Sequence, residues 1–223
     1  MKRLIWVAAL LLSLPAFAQQ KTQTERQMEE AGLVRIQDVD PTIKVSLAFT
    51  RADNVTRSVL YTDIRNAYLV PQAARALKRA QAYLKRIRPD LSLKVYDAAR
   101  PMTLQWKLYR AVAGKNENIY VSSPQAGGDQ HNYGLAVDVT LCRADNGDTL
   151  SMGTRIGDLI QQSRVSTEGY NSENGGLTKE QYDNRELLRK VMAVAGFKAL
   201  RTEWWHFNFR TRSEAKANFR MIK

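Results

Sequence analysis

The 223-residue chain has one cysteine, Cys142, and two histidines, His131 and His206. A single cysteine excludes an internal disulfide, so the fold must rest on its core, a bound metal, or both. Cys142 itself reads as a small buried hydrophobe. Two histidines supply only two imidazoles, so a three-ligand metal site needs a carboxylate as well. Acid is the scarcer charge, with 22 Asp and Glu against 34 Lys and Arg. That excess favours either an anionic partner or a solvated basic surface. No nucleic-acid motif is present, and no such partner is expected. Internal repeats are absent, and beyond the first 18 residues no apolar run could cross a bilayer.

Those first residues have the pattern of a secretory signal. Lys2 and Arg3 precede an apolar run over residues 4–14, broken only by Ser13, and Pro15-Ala16-Phe17-Ala18 ends in small-x-small. The run is short for a stable membrane anchor, and no cysteine follows for lipid attachment. Export to the periplasm or cell envelope is expected, with cleavage near Ala18. The mature chain would have 205 residues and, without Lys2 and Arg3, a net charge of +10. The expected division is a signal peptide over 1–18, an N-terminal arm over 19–40, whose polar residues 19–32 are frayed or form a short helix, and a single domain over 41–223.

Along that domain, Ile43, Val45, Leu47 and Phe49 alternate as in a half-buried strand. Pro71 opens a helix whose stripe runs through Ala73, Leu77, Ala80, Leu84 and Ile87. Leu91, Leu93 and Val95 form a second strand. Pro101 opens another helix to about Ala113. In the strand over 135–141, Leu135, Val137, Val139 and Leu141 face one way, while Asp138 faces the other with Ala136 and Thr140. Thr178 and Gln181 form a capping box for a helix stopped by Gly196. The last strand, 202–209, puts His206 and Asn208 on one face. Residues 142–177 read mainly as loop. The elements alternate irregularly, which points to an α+β fold: a small antiparallel sheet with helices on one face.

Both histidines stand beside acids. Asp138 follows His131 by seven residues, and Glu203 precedes His206 by three. His131, Asp138 and His206 can hold one Zn2+ and leave a position for water. Glu203 is the candidate general base. Three residues apart on a strand, Glu203 and His206 would face opposite ways, so Glu203 is expected at the strand entrance or a bulge. Arg100, after a strand and before a proline, is the candidate cation for a tetrahedral intermediate. Two histidines and one carboxylate also form the iron(II) triad of oxygenases. Cys142, four residues beyond Asp138, is not expected to ligate.

Asp129-Gln130-His131-Asn132-Tyr133-Gly134-Leu135-Ala136-Val137-Asp138 and Glu203-Trp204-Trp205-His206 resemble the motifs of zinc D-alanyl-D-alanine dipeptidases and the related D,D- and L,D-carboxypeptidases. Tyr96-Asp97-Ala98-Ala99-Arg100-Pro101, Ser151-Met152-Gly153-Thr154 and Asn184-Arg185-Glu186-Leu187-Leu188 extend the likeness. The resemblance implies a hedgehog-like α+β peptidase fold, one Zn2+ at His131, Asp138 and His206, Glu203 as base and Arg100 as stabiliser. It implies a substrate that is a D-amino-acid dipeptide or a peptidoglycan peptide. Asp129 stands where the family has serine. Gly157 stands at about the place of an acid that meets the substrate amine, with Asp158 next. Asp129, Asp158 and Trp205 are the candidate substrate-binding residues.

Overall fold

The computed structural model describes residues 20–165 and 176–223. The signal-like segment and residues 166–175 of the loop lie outside them. In chain order the elements are α1 (Gln23–Glu30), β1 (Val34–Arg35), α2 (Ile36–Val39), β2 (Lys44–Val45), β3 (Tyr68–Leu69), α3 (Pro71–Ile87), β4 (Leu91–Asp97), α4 (Met102–Ala111), β5 (Ala136–Arg143), α5 (Lys179–Val194), β6 (Lys198–Leu200), β7 (Glu203–Asn208) and α6 (Arg212–Asn218). Five strands form one sheet in the order β2-β4-β5-β7-β6, and β1 pairs with β3 in a separate ribbon. The expected α+β class is the one found. One edge is parallel, β2 on β4, and the other neighbours in the large sheet are antiparallel. A parallel pair needs a long crossover, and the chain between β2 and β4 supplies it with β3 and α3.

Period-two alternation divides the sheet into a dry face and a chemical face. Leu91, Leu93, Val95, Val137, Val139 and Leu141 are fully buried. They pack toward α3 and α5, which bring Ala73, Ala76, Leu77, Ala80, Leu84, Leu188, Val191 and Met192 to the same core. Pro71 begins α3, where its missing N–H costs nothing, and Thr178 and Gln181 form the capping box of α5. Ile87, expected on the buried stripe, is exposed at the last turn of α3. Pro101 is the residue just before α4 rather than its first.

Two regions depart from the expected elements. The alternating run 42–49 pairs only over β2, because the chain then coils into a short 3-10 turn at Ala48–Thr50. Ile43, Leu47 and Phe49 are buried all the same, so alternation followed burial better than hydrogen bonding. In the region expected as an arm, residues 20–40, α1 is a short helix rather than a frayed strand of chain, and the segment packs on the body. Met28, Leu33 and Ile36 enter the core. The buried Glu25 carboxylate accepts the backbone N–H groups of Arg65 and Asn66, both at 2.8 Å.

Candidate active site

The chemical face of the sheet is assembled by register. On β5, Asp138 stands directly across from His206 of β7, so their side chains share a face. On its other side β5 meets β4, where the register shifts between Val95 and Asp97 and sets Asp97 opposite Asp138. Simple alternation would have turned Asp97 to the core with Leu91, Leu93 and Val95. The bulge re-aims it. Three adjacent strands thus present Asp97, Asp138 and His206 in one row.

His131 arrives from outside the sheet, on the 3-10 turn Gln130–Tyr133. Asp129 caps that turn: its Oδ1 accepts from His131 N at 2.9 Å, while Asn132 Oδ1 accepts from Asp129 N at 2.9 Å. Aspartate caps about as well as serine, so this chain keeps the turn despite the different residue. Gly134 closes the turn at φ +65°, where a Cβ would lie 2.9 Å from Leu33 Cδ2 and 3.2 Å from the Val70 amide nitrogen.

Three donor atoms converge. His131 Nε2 lies 3.1 Å from His206 Nδ1 and 3.3 Å from Asp138 Oδ1, and His206 Nδ1 lies 3.1 Å from Asp138 Oδ1. A tetrahedral ion with bonds of about 2.0–2.1 Å has ligand–ligand edges of about 3.3 Å. The far nitrogen of each ring meets an oxygen: His131 Nδ1 lies 2.6 Å from Ala98 O, and His206 Nε2 lies 2.9 Å from Asn208 Oδ1. A carbonyl oxygen can only accept, so each neutral ring carries its proton outward and turns a lone pair inward. Two lone pairs and a carboxylate aimed at one point repel each other unless a metal ion, or in its absence a shared proton, sits among them. The donor set therefore fits a metal ion, and it is the His/Cys/Asp/Glu cluster of that kind found among the described residues. Cys142 lies outside it, its thiol donating to Ser92 O at 3.4 Å.

The titration of these groups reports the same field. Burial disfavours the charged His206 ring, but the hydrogen bond and charge of Asp138 overcome it and raise the pKa to about 9. His131 is likewise raised, against burial, chiefly by Asp138. Burial would raise the Asp138 carboxyl, but the two rings hold it well below the usual carboxylate range. Glu203 differs: burial dominates and pushes its pKa up to about 7, with His206 opposing.

These groups line a cavity of about 170 Å³ that also includes Arg100, Asp129, Gly157, Leu159, Glu203 and Trp205. Glu203 opens β7. Leu200 pairs with Glu203 while the adjacent Ala199 pairs with Phe207, so Trp204, Trp205 and His206 have no counterpart on β6. This irregularity lets Glu203 and His206 line one cavity despite their spacing. Arg100 is held without freedom: its Nε and Nη2 donate to Asp97 Oδ2 at 3.0 and 2.5 Å, and its Nη1 donates to Gln105 Oε1 at 2.6 Å. Asp129 Oδ2 lies 3.5 Å from Arg100 Nη1. Burial would raise the Asp129 carboxyl, but Arg100 lowers it below its ordinary value.

The D-ala-D-ala dipeptidase family profile matches residues 29–222. The chain belongs to that family. It is accordingly a hydrolase of the metallopeptidase class. It is 29% identical over 175 residues to the D-alanyl-D-alanine dipeptidase of Escherichia coli, covering 78% of this chain and 83% of that protein. It is 34% identical over 91 residues to the D-alanyl-D-alanine dipeptidase of Enterococcus faecium, covering 41% of this chain and 40% of that one. Among solved structures, the LdcB LD-carboxypeptidase aligns with a TM-score of 0.42 at 18% identity, over 83% of this chain and 71% of that chain.

Seven of the eight residues singled out in the sequence, His131, Asp138, His206, Glu203, Arg100, Asp129 and Trp205, line this cavity. Asp158 does not. It lines neighbouring clefts, and its carboxylate accepts from Arg155 N at 3.0 Å. Its neighbour Gly157 reaches the cavity instead. Sequence reasoning gave no role to Asp97, Asn208, Gln105 or Tyr61, whose hydroxyl donates to Asp97 Oδ1 at 2.7 Å. Asp97 lay within the quoted Asp-Ala-Ala-Arg-Pro segment, and Asn208 on the His206 face; neither signal revealed the bonds they make.

Proposed function

We propose that this chain is an exported zinc dipeptidase that hydrolyses D-Ala-D-Ala or a similar small D-amino-acid dipeptide. The observation that carries this reading is the inward-facing triangle of His131 Nε2, Asp138 Oδ1 and His206 Nδ1 beside a buried carboxyl, Glu203, in a chain of this family. Family membership favours zinc over iron, because hydrolysis changes no oxidation state. The cavity supports a small substrate, since it is well below the roughly 300–1,000 Å³ of pockets for drug-sized ligands. Residues 1–18 would be removed on export near Ala18. No helix among the described residues is long and apolar enough to cross a membrane.

His131, Asp138 and His206 would hold the zinc. When bound, zinc supplies Lewis acidity and makes water a stronger acid near neutral pH. Glu203, with its pKa raised toward neutrality by burial, takes the proton of the attacking water and delivers it to the leaving amine. Arg100, immobilised by Asp97 and Gln105, keeps a fixed positive charge on the cavity wall for the carbonyl oxygen as it becomes negative. Of the three lining acids, Asp129 neither holds the zinc nor serves as the base, and we assign it to the substrate ammonium. Trp205, with Phe49 and Leu159, supplies apolar wall for the two methyl groups.

The test is hydrolysis by the zinc-loaded protein of D,D-, L,D- and L,L-dipeptides beside peptidoglycan tetra- and pentapeptides. Cleavage of D-Ala-D-Ala, lost in Glu203→Ala with zinc retained, is the expected outcome. Cleavage of wall peptides without the dipeptide would replace this reading with a D,D- or L,D-carboxypeptidase or endopeptidase. Cleavage of none would overturn both.

A further inference from the structure

Two sequence segments have no part in the chemistry described so far, residues 151–154 and 184–188. The structure places them against each other. Arg185 of α5 is buried, with 1% of its surface exposed. Its Nε donates to Met152 O at 2.7 Å, and its Nη2 donates to Gln162 O at 3.1 Å and to Thr154 Oγ1 at 3.4 Å. Its guanidinium lies over the Trp204 ring, 5.3 Å from the centroid. Asn184 Nδ2 donates to Ser151 O at 2.9 Å, and Gln181 Nε2 to Ser151 Oγ at 3.2 Å. The two segments are the halves of one clamp.

Thr154 carries the clamp to the cavity. Its Oγ1 accepts from Trp204 Nε1 at 2.8 Å and lies 3.0 Å from Ser163 Oγ. Ser163 Oγ donates onward to Asp158 O at 2.5 Å. Between Thr154 and Ser163 the chain contributes Gly157 and Leu159 to the cavity wall. Those two residues lie on a segment with no regular strand or helix pairing; Arg155 ties its start to Asp53 O at 3.0 Å and Ile156 and Leu159 pack on the core, and the Thr154–Ser163 bonds join its two ends. An arginine suits this task because its planar fork meets several acceptors at once, which a lysine ammonium cannot.

We propose that Arg185, acting through Thr154, is a positioning residue for substrate: the pair sets the cavity wall at Gly157 and Leu159. Asp138 and His206 are placed by strand register, Glu203 by its pairing with Leu200 at the start of β7 and His131 by its own capped turn, so the clamp, which touches β7 only at the Trp204 ring, governs fit rather than the reacting groups. Loosening it should weaken substrate binding and leave the chemical step nearly intact. This inference rests on the peptidase reading for its kinetic consequence and on geometry alone for its structural one.

The test measures both in the full mature chain with zinc loaded. Thr154→Val keeps the shape and removes the hydroxyl. It is expected to raise KM about tenfold with kcat within about twofold. Amide hydrogen exchange over residues 154–163 should quicken while that of β5 stays the same, with zinc content unchanged. Thr154→Ser should restore both properties. Arg185→Lys should move in the same direction and further. Unchanged exchange in Thr154→Val and Arg185→Lys would overturn the proposal. So would a fall in kcat with KM unaltered, since that assigns Thr154 to the chemical step. A wild-type protein that cleaves no peptide would sink the peptidase reading, and the exchange result would still judge the clamp.

Discussion

The Asp97 carboxylate grips the Arg100 guanidinium through one oxygen, Oδ2, which accepts from Nε at 3.0 Å and from Nη2 at 2.5 Å. Its other oxygen accepts from Tyr61 and from the Ala98 amide. A four-residue segment therefore contains a cation and its own clamp, both buried. Arg100→Ala should lower kcat about 10²–10³-fold, as expected for loss of a fixed donor to a developing oxyanion. Asp97→Asn keeps the arginine but frees it. It should reproduce part of that loss and also lower the melting temperature, because the buried Arg100 charge keeps only the more distant Asp129, 3.5 Å from its Nη1, and weakening a buried ion pair is destabilising. Paired kinetics and thermal melts check this. An Asp97→Asn enzyme with wild-type kinetics would contradict the role given to Arg100.

Glu203 should titrate visibly. Burial holds its carboxyl at about 7, and a dication bound at the triangle would draw it lower. Carbon-detected NMR of the zinc-free protein should show a carboxyl titrating near 7 that moves down on zinc addition. A base works when deprotonated, so kcat should fall as pH drops through the zinc-bound value. Glu203→Gln should lose that limb and about 10²–10⁴-fold in kcat.

Asn208→Ala removes the oxygen 2.9 Å from His206 Nε2. The ring then loses the partner that keeps its proton outward and its Nδ1 lone pair inward. Zinc affinity should fall about 10–100-fold, measured by chelator competition, with little change in melting temperature of the zinc-free protein. An unchanged affinity would mean that the ring is oriented by packing alone.

Glu25 links α1 to the turn at residues 65–66. Burial would raise its carboxyl, but N–H groups of Arg65, Asn66 and Thr22 more than offset this, and its pKa is lowered. A carboxyl with a lowered folded-state pKa contributes stability that is fully present above its unfolded value of about 4.3. That contribution disappears as pH falls through the folded value. Glu25→Gln should therefore be less stable than wild type at pH 7, and the gap in melting temperature should close below about pH 4. A gap that persists unchanged at low pH would show that the charge is irrelevant there.

The parts of the site that could be read in the sequence are those carried by local pattern. Asp138 departs from an apolar alternation, so its face was evident. The two histidines and Glu203 stood out through scarcity and spacing. Asp97 was hidden because alternation with Leu91, Leu93 and Val95 assigns it to the core, and only the pairing of β4 with β5 reveals the shift that reverses it. Tyr61 and Gln105 reach the site from segments whose placement depends on tertiary packing. Asp158 was misplaced for a related reason: neighbouring residues of an irregular segment point differently, and Gly157 took the cavity side. The docking of residues 20–40 on the body escaped notice because Met28, Leu33 and Ile36, which enter the core, are isolated apolar residues in a polar stretch.

The account depends most on whether His131, Asp138 and His206 hold one metal ion. Anomalous diffraction at the zinc edge, from crystals of the zinc-loaded mature chain, tests this directly. The expected result is a single peak about 2.0–2.2 Å from His131 Nε2, Asp138 Oδ1 and His206 Nδ1. A peak bound elsewhere, or no peak from protein loaded with one equivalent of zinc, would contradict it.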